Sequence, residues 1–171
     1  MTIPQLGEPP RDVRDPQALL AGQLDHVRNA LLRKLDAVPD EERARSRVPS
    51  RWTPLGLLKH LTYVERRWLE WGFLAEPVAD PWGDTLHGTE EWYVADDETY
   101  AVLRGRFLAQ AERSREIVAG ADLLDVAALG GRFQESPPNL AWILLHLLQE
   151  YARHVGHLDI VTEIAAGPVG E

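Results

Sequence analysis

The 171-residue sequence contains no cysteine. A disulfide scaffold, a thiolate metal site and a cysteine nucleophile are therefore excluded. Positive charge is also scarce, because 18 basic residues face 27 acidic ones and leave a formal charge of −9. Nucleic acids and anionic membrane surfaces bind to clustered basic faces, so neither is expected as a partner. The longest apolar run, residues 140–148, contains His146 and is too short to span a bilayer.

The N-terminal segment, residues 1–14, also lacks an apolar signal-peptide stretch and is instead rich in proline and charge. We interpret it as a flexible tail and expect a cytoplasmic protein. Residues 15–167 are predicted to form one domain, a length that suits a single hydrophobic core.

Helical periodicity dominates the rest of the chain, and no β-alternation extends beyond a few residues. Four amphipathic helices are predicted, each from an apolar stripe at steps of three and four residues. Their predicted N-caps are Asp15, Thr53, Asp96 and Asn139, and the first two are followed by proline at the first helical position. The helices are expected to end before Pro39, near Leu74, at Gly120 and near Ala165. The predicted fold is an all-α four-helix bundle.

A long irregular segment, residues 75–96, joins the second and third predicted helices. Connections of this length inside a domain are usually functional or cross over the bundle, so a crossover is predicted here. The segment contains Trp82, His87 and Trp92, which could cover a site. By contrast Trp68, Trp71 and Trp142 lie within helices and are interpreted as core residues.

The last helix carries an unusual density of groups that can bind a metal. His146, Glu150 and His154 follow one another at steps of four and therefore share one helical face, which His157 continues. Two ligands spaced i, i+4 on a helix can bind one ion, as in helical zinc sites. A third ligand must come from another element, and His60 is the other histidine on an apolar helical face.

Spacing alone leaves two interpretations of this face open. The first is a divalent metal centre whose three protein ligands leave a position for water or substrate, as in catalytic sites. The second is a polar seam at a bundle or dimer interface. Nitrogen and oxygen ligands without sulfur are compatible with zinc, our first choice, and with nickel, iron or manganese.

Two segments resemble the DinB/YfiT-like superfamily, in particular its branch from GC-rich bacteria. They are TPLGLLKHLTYVERRW around His60 and LLHLLQEYARHVGHLDIVTEIAAG near the end, and the resemblance extends from about residue 15 to residue 167. It implies a bundle of up-down-down-up order and a divalent metal held by His60, Glu150 and His154. Most members have histidine where this chain has Glu150, whereas the mycothiol-dependent maleylpyruvate isomerases resemble it in having glutamate there.

The resemblance also implies roles for the remaining groups and a class of reaction. His146 and His157 become supporting or substrate-facing residues, and a homodimer is expected. The superfamily includes transferases and isomerases that use low-molecular-weight thiols such as mycothiol and bacillithiol. We therefore predict a metal-dependent thiol S-transferase or isomerase that acts on a small electrophile, with its catalytic residues unassigned. The alternatives are a non-catalytic, dimeric metal-binding stress or sensor protein, and a metal-dependent hydrolase.

Overall fold

The computed structural model of this protein describes residues 7–79 and 92–165. Its first helix, α1, spans Pro16–Ala37 and begins where the sequence predicts, because the Asp15 side chain accepts hydrogen bonds from the backbone N–H groups of Gln17 and Ala18. A four-residue helix that the sequence analysis did not predict, α2 (Asp40–Arg43), follows directly.

The second predicted helix is present but changes its winding halfway. Thr53 caps α3, Pro54–Glu65, by accepting from the N–H of Gly56. The chain continues without a break as a π-helical segment, Arg66–Phe73. Such wide turns are rare and occur frequently at functional sites.

The third predicted helix starts later than expected. It is α4, Tyr100–Ala119, and its N-cap is Thr99, so the prediction of Asp96 as the cap is wrong. Residues 95–98 instead form a turn in which the Glu98 N–H donates to the Ala95 carbonyl and the Ala95 N–H donates to the Glu98 carboxylate. This turn delays the helix until Thr99 supplies the next cap.

The last helix, α5, spans Leu140–Ile164 and is capped by Asn139 as predicted. The described ranges contain no strand, only an isolated bridge between Val126 and Asn139. Within those ranges, too, no helix combines the length and the apolar character needed to cross a membrane.

Cross-helix contacts show the direction in which each helix runs. Gln17, at the start of α1, donates to carbonyls at the end of α4, so these two helices are antiparallel. Lys34 near the end of α1 pairs with Asp159 near the end of α5, so those two are parallel. Along α3 and its π-helical continuation, successive residues meet progressively earlier residues of α5. The order is therefore up-down-down-up, and the predicted all-α bundle is confirmed.

A buried polar cluster lies among the apolar residues at the centre of the bundle. The Glu65 carboxylate accepts two hydrogen bonds from Arg28, of 2.8 and 2.6 Å, and one from Ser114 of 2.6 Å. The Tyr151 hydroxyl also donates to it. Glu65 is 1% exposed and Arg28 2%, so burial alone would strongly disfavour either charge. This cluster, the Glu65 hub, joins α1, α3, α4 and α5.

Candidate metal centre

His60, Glu150 and His154 lie together at one side of the bundle, between α3 and α5. Each offers one ligand atom, and these three atoms all lie within 4.8 Å of one another. The Glu150 Oε2 atom is 3.3 Å from Nε2 of His154 and 3.9 Å from Nε2 of His60. Both histidines are buried and Glu150 is partly buried. The spacing i, i+4 supplies the pair on α5, and helix packing brings the third group from α3.

These separations suit a divalent ion. Zinc bonds to histidine nitrogen and carboxylate oxygen of about 2.0–2.2 Å place tetrahedral ligand atoms roughly 3.3–3.6 Å apart. The separation from His154 lies at the lower end of that range and the separation from His60 lies above it, so side-chain rotations would be needed to close the triad on an ion. Two imidazoles and one carboxylate are also a donor set that zinc and other divalent transition metals accept.

Glu150 is held as an anion at this position. The adjacent imidazole of His154, and then that of His60, favour the ionised form and keep the pKa of the Glu150 carboxyl well below its usual range despite partial burial. An ionised carboxylate is the form that binds a cation. The charge of this carboxylate therefore suits the binding of a cation.

Trp92 lies directly against the triad. Its ring centroid is 4.9 Å from that of His60 and 6.0 Å from that of His154. Gly56 allows this approach, because a Cβ atom there would lie 2.8 Å from the Trp92 carbonyl oxygen. Lys59 holds the next residue by donating to the Tyr93 carbonyl, at 3.0 Å, and to Glu98. Trp82 and His87, the other residues predicted to cover the site, lie outside the described residues.

His146 and His157 flank the triad at opposite ends. His146 Nε2 is 3.7 Å from Glu150 Oε1, and its ring stacks on Trp142 with planes 5° apart. The exposed His157 ring is 5.6 Å from that of His154. Among the described residues, neither histidine belongs to the group whose ligand atoms converge. Both line the adjoining cavity and face whatever enters it.

A cavity of about 460 Å³ opens onto the triad. Its described lining includes four groups that the sequence analysis did not assign to a site: Trp68, Arg67, Arg132 and Arg153. Trp68 was interpreted as core, yet it is half-buried and its ring lies 4.2 Å from that of His146. The π-helical winding explains this, since it turns the helix surface relative to an α-helical projection. Trp142 is likewise 50% exposed and not a core residue.

The π-helical segment also anchors the loop that carries Arg132. The backbone N–H of Arg132 donates to the Trp71 carbonyl and that of Ala128 donates to the Phe73 carbonyl, at 3.0 and 2.9 Å. Gly131 permits the contact, because a Cβ atom there would lie 2.0 Å from the Trp71 oxygen. No pattern within the loop sequence, residues 120–139, predicts this docking.

A comparison with protein-family models matches residues 19–167 to the model described as mycothiol S-transferase. No curated protein and no solved structure gives a significant match. The matched range contains the whole triad and every helix except the first three residues of α1.

Proposed function

This chain belongs to the mycothiol S-transferase family, and we propose that it transfers the sulfur of a low-molecular-weight thiol to a small electrophile at a metal held by His60, Glu150 and His154. The observation that carries the proposal is the convergence of these three side chains at the wall of an open cavity. Mycothiol is the first thiol to test and bacillithiol the second. Zinc is the proposed metal, with nickel, iron and manganese as alternatives.

When bound, the ion would favour the thiolate form of the substrate over the thiol at neutral pH. In the transfer, the sulfur forms a bond to the electrophilic carbon, the leaving group departs with its electron pair, and the thiol proton passes to solvent. The protein needs no cysteine for this, and it has none.

The chain's own residues bind and position the reactants. Trp92 and Trp68 provide apolar walls on two sides of the cavity and reduce the access of water. His146, stacked on Trp142, faces the cavity beside Glu150. Burial is the main cause that lowers the pKa of His146, so this imidazole is neutral at pH 7 and can accept or donate a hydrogen bond.

The first test is turnover by the zinc-loaded protein. Mycothiol or bacillithiol is mixed with monobromobimane, and formation of the fluorescent conjugate is followed. We expect turnover in the wild type and its loss in His154→Ala. The matched control is His26→Ala, which removes a histidine of α1 outside the cavity and should leave the rate unchanged. Absence of turnover above the His154→Ala rate with every thiol would refute the transferase proposal.

The second test addresses the metal itself. The metal content of freshly purified protein and of zinc-reconstituted protein is measured by mass spectrometry for wild type, His60→Ala and His26→Ala. We expect one ion per chain in the wild type and the control, and a loss of at least tenfold in affinity in His60→Ala. Equal metal content in wild type and His60→Ala would show that His60 is not a ligand.

The two alternatives are separated by the same pair of tests. Metal binding without turnover of any thiol is the result expected of a non-catalytic sensor. Glu150, the carboxylate that lines the described part of the cavity, belongs to the triad, so a hydrolase would have to use a histidine such as His146 as its base. The family match is what favours thiol transfer over hydrolysis.

We also propose a homodimer located in the cytoplasm. The face of α5 that points away from the bundle exposes Trp142, Leu145, Ile160 and Ile164, each at least half exposed. Light scattering at micromolar concentration tests the dimer, for which twice the mass of 19.3 kDa is expected.

A further inference from the structure

A buried lysine ties the segment that carries Trp92 to α3. Lys59 is 6% exposed and Glu98 is 8% exposed, and the Lys59 Nζ atom lies 2.7 Å from Oε2 of Glu98. The same ammonium group donates to the Tyr93 carbonyl at 3.0 Å. Burying a lysine is costly unless its charge is paired and its hydrogen bonds are made. Residues 93–98 provide both an opposite charge and an acceptor, so this contact fixes the segment on the helix.

Glu98 is also held by groups outside α3. Its Oε2 atom accepts from the backbone N–H of Ala95 at 3.0 Å, and its Oε1 atom accepts from Arg106 of α4 at 2.6 Å. A cation and a backbone donor would therefore remain bound to this carboxylate if Lys59 were replaced. Such a replacement should release the Tyr93 carbonyl without leaving a buried charge unpaired.

The contacts that hold the backbone at Trp92 come from the helix face that carries His60. Gly56, Lys59 and His60 lie at positions i, i+3 and i+4 of α3, and such positions share one face. Gly56 lets the Trp92 carbonyl approach, since a Cβ atom there would lie 2.8 Å from its oxygen. Lys59 holds the carbonyl of the following residue. Two successive carbonyl groups are thus placed against α3 beside a proposed metal ligand.

The Trp92 ring in turn restricts the proposed ligands. Its centroid is 4.9 Å from that of His60 and 6.0 Å from that of His154, and the two imidazole centroids are 4.8 Å apart. Rings at these distances are in contact, so the indole limits the rotation of both imidazoles on the side that it covers. Residues that orient metal ligands typically contribute about 10- to 100-fold to metal affinity without touching the ion.

We propose that Lys59 is a positioning residue of the metal centre: by holding the Tyr93 carbonyl it keeps the Trp92 ring against His60 and His154, and so raises the affinity of the triad for its ion. Lys59 acts through Trp92 and not by contact with the metal. The effect on affinity rests on the proposed metal-dependent function, whereas the placement of Trp92 by Lys59 can be measured in protein without metal.

The first experiment follows Trp92 in the metal-free protein. Tryptophan is replaced biosynthetically by fluorotryptophan, and the fluorine signal of Trp92 is the one missing from Trp92→Phe. We expect Lys59→Met, which keeps an unbranched side chain and removes the charge, to shift or broaden this signal. The matched control is Lys34→Met, which removes the other lysine of the chain, paired with Asp159 near the ends of α1 and α5. An unchanged Trp92 signal in Lys59→Met, or an equal change in the control, would refute the positioning.

Two further variants keep the test decisive if circular dichroism shows that Lys59→Met is unfolded. Lys59→Gln retains N–H donors but is too short to reach both acceptors, and the same change in the Trp92 signal is expected. Gly56→Ala reaches the contact by a second route, because its Cβ would lie 2.8 Å from the Trp92 carbonyl oxygen while alanine favours the helix. Wild-type Trp92 signals in both variants would overturn the proposal.

The second experiment measures zinc affinity by competition with a chromophoric chelator. Lys59→Met and Trp92→Ala should each raise the zinc dissociation constant about tenfold, and Lys34→Met should leave it unchanged. Because Lys59 acts through Trp92, the double variant should bind zinc as tightly as Trp92→Ala alone. Two effects that multiply to about a hundredfold in the double variant would show that Lys59 acts independently of Trp92, and would overturn the proposal.

The two experiments separate the positioning from the proposed function. Absence of zinc binding in the wild type would refute the triad as a metal centre, while the fluorine signal would still decide whether Lys59 places Trp92. A changed Trp92 signal together with wild-type zinc affinity in Lys59→Met would refute the effect on affinity and leave the metal centre standing.

Discussion

The Glu65 hub provides a sharp test of what holds this bundle together. Glu65→Gln keeps the size and shape of the side chain and removes its charge. Arg28 then remains 2% exposed and keeps only its ion pair with Asp25, at 2.7 Å. Breaking one side of a buried ion pair in this way typically costs about 3–5 kcal/mol of unfolding free energy.

The hydrogen bonds of the hub also predict that Glu65→Gln is destabilising. Ser114 and Tyr151 both donate to the Glu65 carboxylate, and both side chains are 0% exposed. A glutamine keeps only one acceptor oxygen for these donors and adds N–H groups that need acceptors of their own. Each unsatisfied buried group costs about 1–3 kcal/mol, which adds to the loss of the ion pair, while the remaining pair of Arg28 with Asp25 offsets part of that loss.

Urea denaturation followed by circular dichroism measures the loss. The matched control is Glu76→Gln, which breaks the pair with Arg113, where the two side chains are 43% and 38% exposed. Exposed pairs contribute roughly 0–1 kcal/mol, so the control should be nearly neutral. Since whole domains are stable by only about 5–15 kcal/mol, Glu65→Gln should lower the urea midpoint of unfolding far more than Glu76→Gln does.

If Glu65→Gln fails to fold, a double variant tests the same buried ion pair. Arg28→Leu combined with Glu65→Leu removes both charges, and replacing a buried pair by apolar residues is often neutral or stabilising. The double variant should therefore be more stable than Glu65→Leu alone. A loss under 1 kcal/mol in Glu65→Gln, or a double variant no more stable than the single one, would refute the hub as the polar anchor of the bundle.

Three further predictions follow from other parts of the structure. Gly131→Ala should lower the unfolding free energy measured in urea by about 1–3 kcal/mol, because its Cβ would lie 2.0 Å from the Trp71 carbonyl oxygen. The control is Gly105→Ala on α4, which has open space around it and should raise the unfolding free energy by about 1 kcal/mol. Equal effects of the two variants would refute the docked loop. Burial opposes the ionisation of Glu98, but hydrogen bonds, that from Lys59 first, outweigh it and lower its pKa. Its stabilising contribution is therefore present above the unfolded pKa of about 4.3 and lost as pH falls toward the folded pKa, so Glu98→Gln should be less stable than wild type at pH 6 and the gap should narrow by pH 3. Finally, zinc at 100 times its dissociation constant should raise unfolding free energy by about 2.7 kcal/mol, an increase that chelation abolishes and that His154→Ala should never show.

Local signals in the sequence determined the helices. Asp15, Thr53 and Asn139 each have the short polar side chain that caps a helix, and each is followed by a residue pattern that buries one face. The spacing of Glu150 and His154 places both on one face of α5, since positions four apart are neighbours on any α-helix. These features depend on residues within a few positions of one another, and they can be predicted from sequence for that reason.

The tertiary structure decided what depends on distant residues. Glu98, held by Lys59 39 positions away, keeps residues 95–98 in a turn, so Thr99 and not Asp96 caps α4. Arg132 reaches the cavity because its loop docks on carbonyls that a π-helical segment presents. No periodicity within one segment encodes such contacts, because their free energy comes from hydrogen bonds and burial between separate elements. The helices and the pair of proposed ligands on α5 are thus determined by local sequence, whereas the approach of His60 and the Glu65 hub exist only once the four helices have packed.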